Sequence, residues 1–301
     1  MPSRNLVSII ISDMETHPSL PRLLQSVASQ SIGLERTEIL IAHNTTHSSE
    51  DASVWSAIAG TDNIRQIPLD KNILPSQARN AAAASSNGEF LIFLRPDYRL
   101  DPKYMTTALS VFDDKPETDI IYTDYIRLNA KKSTVRPGMV QLPDFDDALL
   151  QTQNILGPAV MLRREAWDST QGFRDNTVYR DWDLWIQTAL AGNQFLRVNY
   201  PLASCEHGKI SFRERAEDGR YKAMIVINNQ AYFHMHTVRW ALSYLRGDAW
   251  AQAFGFMNIP GPMDVTKMMH DFNSKQMGGE HLTQEAIRQF ETSPTASEAI
   301  R

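Results

Sequence analysis

The sequence predicts an α/β fold: a mostly parallel sheet flanked by helices, followed by a C-terminal helical appendage. Three observations carry this expectation. Apolar runs of strand length alternate with helix-patterned stretches through residues 6–94. One of these runs, Glu89–Leu94 (EFLIFL), empties into Arg95-Pro96-Asp97, where Pro96 forbids further pairing. From Ala216 onward the pattern becomes helical.

The elements follow in order. Leu6–Ile11 (LVSIII) is β-branched and apolar, the composition of a strand buried on both faces. Ser19 is placed to cap the next helix, where Leu20, Leu23, Leu24 and Val27 recur at helical spacing. Glu38–Ala42 is the second strand, His43–Ser53 a polar loop, Val54–Ala59 a helix and Ile64–Pro68 the third strand. Ala-rich Gln77–Ser86 forms a helix that Asn87-Gly88 stops, and Glu89–Leu94 is the fourth strand. Asp119–Leu128 and Asn154–Arg163 have strand composition, and the polar stretch Lys131–Pro143 carries turn residues. Arg164–Ser169 is a helical turn and Gly172-Phe173 a turn. Asp181–Ala191 is a helix with Trp182, Trp185, Ile186 and Ala189 on one face. Gln194–Val198 and Leu202–Cys205 are two short strands. Ala231, Met235, Val238, Leu242 and Leu245 form an apolar stripe on a helix that Gly247 ends, and Thr283–Phe290 is one more helix before a polar tail.

Hydrophobic residues make up 42% of the 301-residue chain and charged residues 22%, the balance of a globular protein rather than a disordered one. The length suits one large domain with an appendage, divided here into 1–212 and 213–301. A net charge of −5 leaves no electrostatic footprint for nucleic acid, although a local basic groove for a diphosphate is compatible with it. The single cysteine, Cys205, excludes an internal disulfide and fits a reducing compartment. The apolar run at the N-terminus stops at Ser12-Asp13, too short for a signal-peptide core, and no stretch approaches the ~20 residues of a membrane span. A cytoplasmic protein is expected, with peripheral contact at the inner membrane face left open. No G-x-G-x-x-G follows a strand, which disfavours a dinucleotide-dependent dehydrogenase.

A carboxylate just past the carboxyl end of a buried strand, as Asp97 is, sits where open α/β sheets bind ligands. Ala78-Arg79-Asn80, Gly88-Glu89-Phe90 and the loop ending in Asp97 together resemble the family-2 glycosyltransferases, whose fold is called GT-A. Arg95 stands where that family has the first Asp of its Asp-x-Asp loop. Two further blocks resemble it. In Arg180-Asp181-Trp182-Asp183-Leu184-Trp185, preceded by Gly172-Phe173, Asp181 matches the family's base and Arg180 replaces a Glu. In Cys205-Glu206-His207-Gly208-Lys209-Ile210-Ser211, His207 matches a histidine that commonly helps bind the metal or the diphosphate.

By its residue type alone, Asp181 reads equally as the N-cap of its helix, and His207 as a surface-loop histidine. The resemblance implies a catalytic base at Asp181. It implies nucleotide-sugar contacts from Ser12, Asn44, Arg79, Arg95, Asp97, Arg180 and Trp182, and metal ligation by Asp97 and His207. Mg²⁺ or Mn²⁺ is the implied cofactor, with weak or absent binding in the apo protein. Arg95 adds a fixed cation that repels a metal and attracts phosphate. The implied function is an inverting transfer of a sugar from a nucleotide diphosphate sugar to a hydroxyl of a glycan or lipid-linked acceptor. The alternative is a non-catalytic GT-A-like protein that binds a glycan, a nucleotide or a partner protein. His43-Asn44 in place of an acidic pair on the second strand leaves Asn44 able to hydrogen-bond a base without supplying charge.

Overall fold

A computed structural model describes residues 6–12, 17–44, 63–70, 72–128, 136–206, 217–252 and 258–276. Its strands are β1 Val7–Ser12, β2 Thr37–Asn44, β3 Ile64–Leu69, β4 Phe90–Leu94, β5 Tyr98–Leu100, β6 Ile120–Leu128, β7 Gly138–Val140, β8 Val160–Arg163 and β9 Phe195–Glu206. Among the described residues they form one sheet in the order β3-β2-β1-β4-β8-β6-β9-β5, with β7 paired to β6. Strands β3, β2, β1 and β4 are mutually parallel, and β6 is parallel to β9. Strand β8 joins the two groups by pairing antiparallel to both β4 and β6. The fold is the GT-A fold: a curled, mostly parallel sheet flanked by helices, with C-terminal helices following it.

The central strands are the apolar runs. Every residue of β4 is buried, and so are Val7–Ile11 of β1. On one face of the sheet, Ile9, Ile11, Ile39 and Ile92 pack with Leu23 and Leu24 of the helix Leu20–Ala28, as its 3.6-residue pattern requires. Burial of each such side chain stabilises by about 1.5–3 kcal/mol. Where the helix Pro75–Ala84 returns to β4, the chain threads past β1 closely. A Cβ on Gly88 would stand 2.5 Å from Ser8 Oγ and 2.6 Å from Ser8 N, so this position admits only glycine. The buried Glu38 carboxylate ties the same point together, accepting from Ser8 Oγ at 2.6 Å and from the backbone N–H groups of Asn87 and Gly88.

Several expectations are corrected. Ser19 makes no side-chain cap bond; its backbone is helical, and its N–H instead donates to His17 Nδ1. The helix expected at Gln77 begins at Pro75, which the first turn tolerates because its N–H would be unpaired there. Only Val160–Arg163 of the stretch from Asn154 is strand. The two short strands after Ala191 are one, β9, which carries Pro201 by bulging against β6 between Thr123 and Tyr125. The bulge is held by Asp124, fully buried, whose carboxylate takes both Nε and Nη2 of Arg197 at 2.9 and 2.8 Å and the Leu142 N–H. Burial opposes the Asp124 charge, but the Arg197 and Leu142 bonds outweigh it and hold its pKa below the usual range. Strands β5 and β7 and the helix Tyr104–Asp114 carried no assignment above. The expected elements at 54–59 and 283–290 and most of the loop 43–53 lie outside the described residues.

The chain divides into two compact units. The first comprises Met1–Leu150, Asn154–Asp175 and Arg180–Ile210 and holds the sheet; the second comprises Gln151–Gln153, Asn176–Tyr179 and Ser211–Arg301. Within the second, the helix Met235–Arg246 buries Trp240, Ala241 and Thr237, and Gly247 ends it at φ 88°. The apolar stripe read from the sequence is the other face: Met235, Leu242 and Leu245 are exposed. Trp240, the largest fully buried side chain among the described residues, lies on the inward face. No helix among the described residues is long and apolar enough to cross a membrane.

Candidate functional site

The site lies at the carboxyl ends of β1 and β4, adjacent parallel strands in register from Val7–Phe90 to Ile11–Leu94. Ser12 closes β1 there, and Arg95-Pro96-Asp97 follows β4. Both strands run their apolar residues to that edge and then stop, because the polar residues and Pro96 cannot continue a buried ladder.

Arg79 connects the pieces. It projects from the helix Pro75–Ala84, donates from Nε to Ser12 Oγ at 3.1 Å and from Nη1 to Asp181 Oδ1 at 2.9 Å, and lies over the Phe173 ring at 5.0 Å. Asp181 sits in the first turn of the helix Arg180–Leu190, where the helix dipole favours a carboxylate. Its partner is Arg79 rather than a backbone cap, and its side chain is 40% exposed.

Asn80, one residue on, stands in the sequence motif but was given no role there. Its amide donates to Phe173 O and accepts from Phe173 N, each at 2.9 Å. Gly172 has φ +73°, and a Cβ on it would stand 2.7 Å from Asn80 Oδ1. Phe173 then packs edge-on to Phe93 of β4, with Trp167 alongside. The Ala-Arg-Asn and Gly-Phe motifs are therefore two halves of one clamp. Its signal in the sequence is the pairing of an Asn with a glycine turn, visible only once the two are known to touch.

Arg95 folds back on Asp97. Nε and Nη2 reach Oδ1 and Oδ2, each at 3.0 Å, and the guanidinium lies 5.4 Å from the centre of the Tyr98 ring. Burial works against the Arg95 charge, but Tyr98, Asp97 and Asp181 around it outweigh that and hold its pKa above the ordinary range. Burial also raises the Tyr98 phenol; Arg95 and Arg79 lower it, and Asp181 and Asp97 raise it further. The phenol is therefore a neutral donor at working pH.

Two residues expected at the ligand bond to protein groups here. Trp182 is 3% exposed and donates its indole N–H to Leu150 O at 2.8 Å; its large apolar ring is satisfied in the core. Arg180 turns to the start of the helix Pro75–Ala84, donating to Ser76 Oγ at 3.1 Å with Asp175 at 3.9 Å. Asp183 is fully buried against Arg174 and Gln187. The Asn44 side chain and all of His207 lie outside the described residues. Among the described residues no group of three His, Cys, Asp or Glu side chains could hold a metal ion. Asp97, the one candidate ligand in place, has both oxygens on Arg95, so these residues do not fit a divalent cation.

Comparison with known proteins agrees with the fold. Residues 8–169, more than half of the chain, match the family model Glycosyl transferase family 2. A curated relative, the uncharacterized protein y4gI of Sinorhizobium fredii, is 29% identical over 121 residues, 40% of this chain and 13% of that protein's length. Among solved structures, S. aureus TarS residues 1–349 superposes with a TM-score of 0.60 at 15% identity, covering 83% of this chain and 74% of that one. TarS has also been solved with UDP-GlcNAc. The mannosyltransferase PcManGT of Pyrobaculum calidifontis, solved with GDP-Man and Mn²⁺, superposes with a TM-score of 0.54 at 13% identity, covering 98% of this chain and 82% of that one. The strand-end motifs, the sheet they terminate and the matched sequence lead to one assignment: the chain belongs to glycosyl transferase family 2.

Proposed function

We propose that the protein is an inverting glycosyltransferase that moves a sugar from a nucleotide diphosphate sugar to a hydroxyl of a glycan or lipid-linked acceptor. The observation that carries this reading is the Ser12–Arg79–Asp181 chain of hydrogen bonds beside the Arg95–Asp97 pair. Arg79 holds Asp181 by Oδ1, and no bond to Oδ2 is recorded among the described residues. Oδ2 is therefore available to take the acceptor hydroxyl proton as the acceptor oxygen bonds to the sugar C1 and the bond from C1 to the diphosphate breaks. The electron pair leaves with the diphosphate. Arg95, a planar fork suited to phosphate, compensates that charge where a divalent cation does so in other enzymes, so metal binding by the apo protein is weak or absent. The donor class is supported by the nucleotide sugars found with TarS and the mannosyltransferase. Within this reading residues 1–212 form the transferase part and 213–301 the appendage, in a cytoplasmic protein that contacts the inner membrane face peripherally.

The bidentate closure of Asp97 by Arg95 also favours a second reading, a non-catalytic binding module that has lost its metal site. A thermal-shift screen of UDP- and GDP-sugars with and without Mn²⁺, followed by a transfer assay on any donor that binds, separates the two. Donor binding with hydrolysis or transfer supports the enzyme. Binding without turnover supports the module, and no binding sinks both nucleotide readings.

A further inference from the structure

Two of the arginines at the site are matched by carboxylates: Arg79 by Asp181, Arg95 by Asp97. Arg127 near the end of β6 differs. Arg127 and Tyr98 are both register partners of Cys205, from opposite sides of β9. Neighbouring strands lie about 4.8 Å apart and register partners share a face, so Tyr98, Cys205 and Arg127 form one row across the sheet. Arg95 lies over the Tyr98 end of that row. Burial pushes the Cys205 thiol pKa up, Asp97 raises it further, and Arg95 and Arg127 lower it.

Among the described residues Arg127 makes no recorded hydrogen bond or ion pair, and its Nε is buried without a partner. A buried donor left unpaired is unfavourable, and natural structures rarely keep one without a ligand or water to satisfy it. Arg127 adds to the positive charge that Arg95 offers an anion at this end of the sheet.

We propose that Arg127 is a substrate-binding residue that takes a phosphate-type oxyanion, resting on the glycosyltransferase reading above. Two sources share that chemistry, the diphosphate of the donor and an anionic group on the acceptor. Isothermal titration of inorganic pyrophosphate, UDP and GDP into wild type, Arg127→Gln and Arg127→Lys tests it, with circular dichroism confirming that each variant is folded. Pyrophosphate affinity should fall about 10-fold in Arg127→Gln, the loss expected of one charge-assisted hydrogen bond, and recover in part in Arg127→Lys. If the donor is the source, the affinity for the nucleoside diphosphate that binds falls by the same factor. If the acceptor is the source, that affinity is unchanged, and the loss appears when pyrophosphate is titrated into protein already saturated with nucleotide. Wild type that takes pyrophosphate in neither state, or a folded Arg127→Gln variant that matches wild type in both, overturns the proposal. Failure of every nucleoside diphosphate to bind wild type counts against the glycosyltransferase reading, while the pyrophosphate arm still decides Arg127.

Discussion

Asp181 and Arg95 sit in ion pairs of different kinds, and the difference determines what each substitution should do. Asp181 shares one oxygen with Arg79 and is 40% exposed on its side chain, so removing its charge should leave the fold intact. Asp181→Asn is expected to lower kcat by about 10²–10⁴-fold, the usual contribution of a general base, with donor affinity little changed. Wild-type turnover in that variant, measured alongside donor titration, would refute the role. Arg95 closes on both oxygens of Asp97. Nucleoside diphosphate affinity should therefore be insensitive to EDTA and should drop in Arg95→Ala. EDTA-sensitive binding that survives the substitution would reveal a conventional metal site.

At the scale of elements, the loops between strands are held by a few specific bonds. The Asn80 amide is the only recorded side-chain grip on the Phe173 backbone among the described residues, and Gly172 is pressed against it. Asn80→Ala leaves the Phe173 N–H and C=O without these partners and should cost about 1–3 kcal/mol in chemical denaturation. It should also lower kcat, because the turn it releases precedes the Asp181 helix. An unchanged denaturation midpoint would show the clamp is idle.

Glu38, at the opposite end of the strands, tests the same logic through pH. Burial opposes its charge, yet Ser8, the Asn87 and Gly88 N–H groups and Arg65 outweigh this and lower its pKa below 4.5. A depressed folded pKa means its stabilisation is present above about pH 4.5 and is lost as pH falls through the folded value. Glu38→Gln should therefore be less stable than wild type at pH 7, with the gap narrowing toward pH 3. Urea melts showing a constant gap would contradict this.

At the scale of the molecule, the two units interleave along the chain. Gln151–Gln153 and Asn176–Tyr179 belong to the second unit although they lie within the first two hundred residues. They are bonded to its later elements: Gln151 to Tyr232 O, Thr152 O to Ile259 N, Asn176 to Asn228, and Tyr179 to Asp218. A chain cut after Ile210 loses all four of these bonds. It should melt below the full chain and aggregate more readily, as read by differential scanning calorimetry and light scattering. Equal melting temperatures would show that the early segments stand without the later ones.

The sequence by itself determined the strands that are apolar throughout and the helices with one clear stripe: β1, β2, β4 and Leu20–Ala28 stand where their patterns put them. Burial on both faces, or on one stripe, is a local property of the chain, so the residues alone record it. Asp97 and Asp181 stand just past β4 and in the first turn of the helix Arg180–Leu190, boundaries that their neighbours announce; Arg79, in the middle of its helix, was singled out by the family resemblance alone. Only the tertiary structure decided that Trp182 belongs to the core and that Arg180 turns to Ser76. It also decided that the helix Met235–Arg246 buries Trp240 and exposes Met235 and Leu242, and that Pro201 fits inside one long strand through the Asp124–Arg197 bulge. In each case the outcome depends on which distant group arrives to fill a volume or satisfy a charge. Sequence spacing does not specify that partner, because two faces of a helix or two registers of a strand can be equally apolar until something packs against one of them.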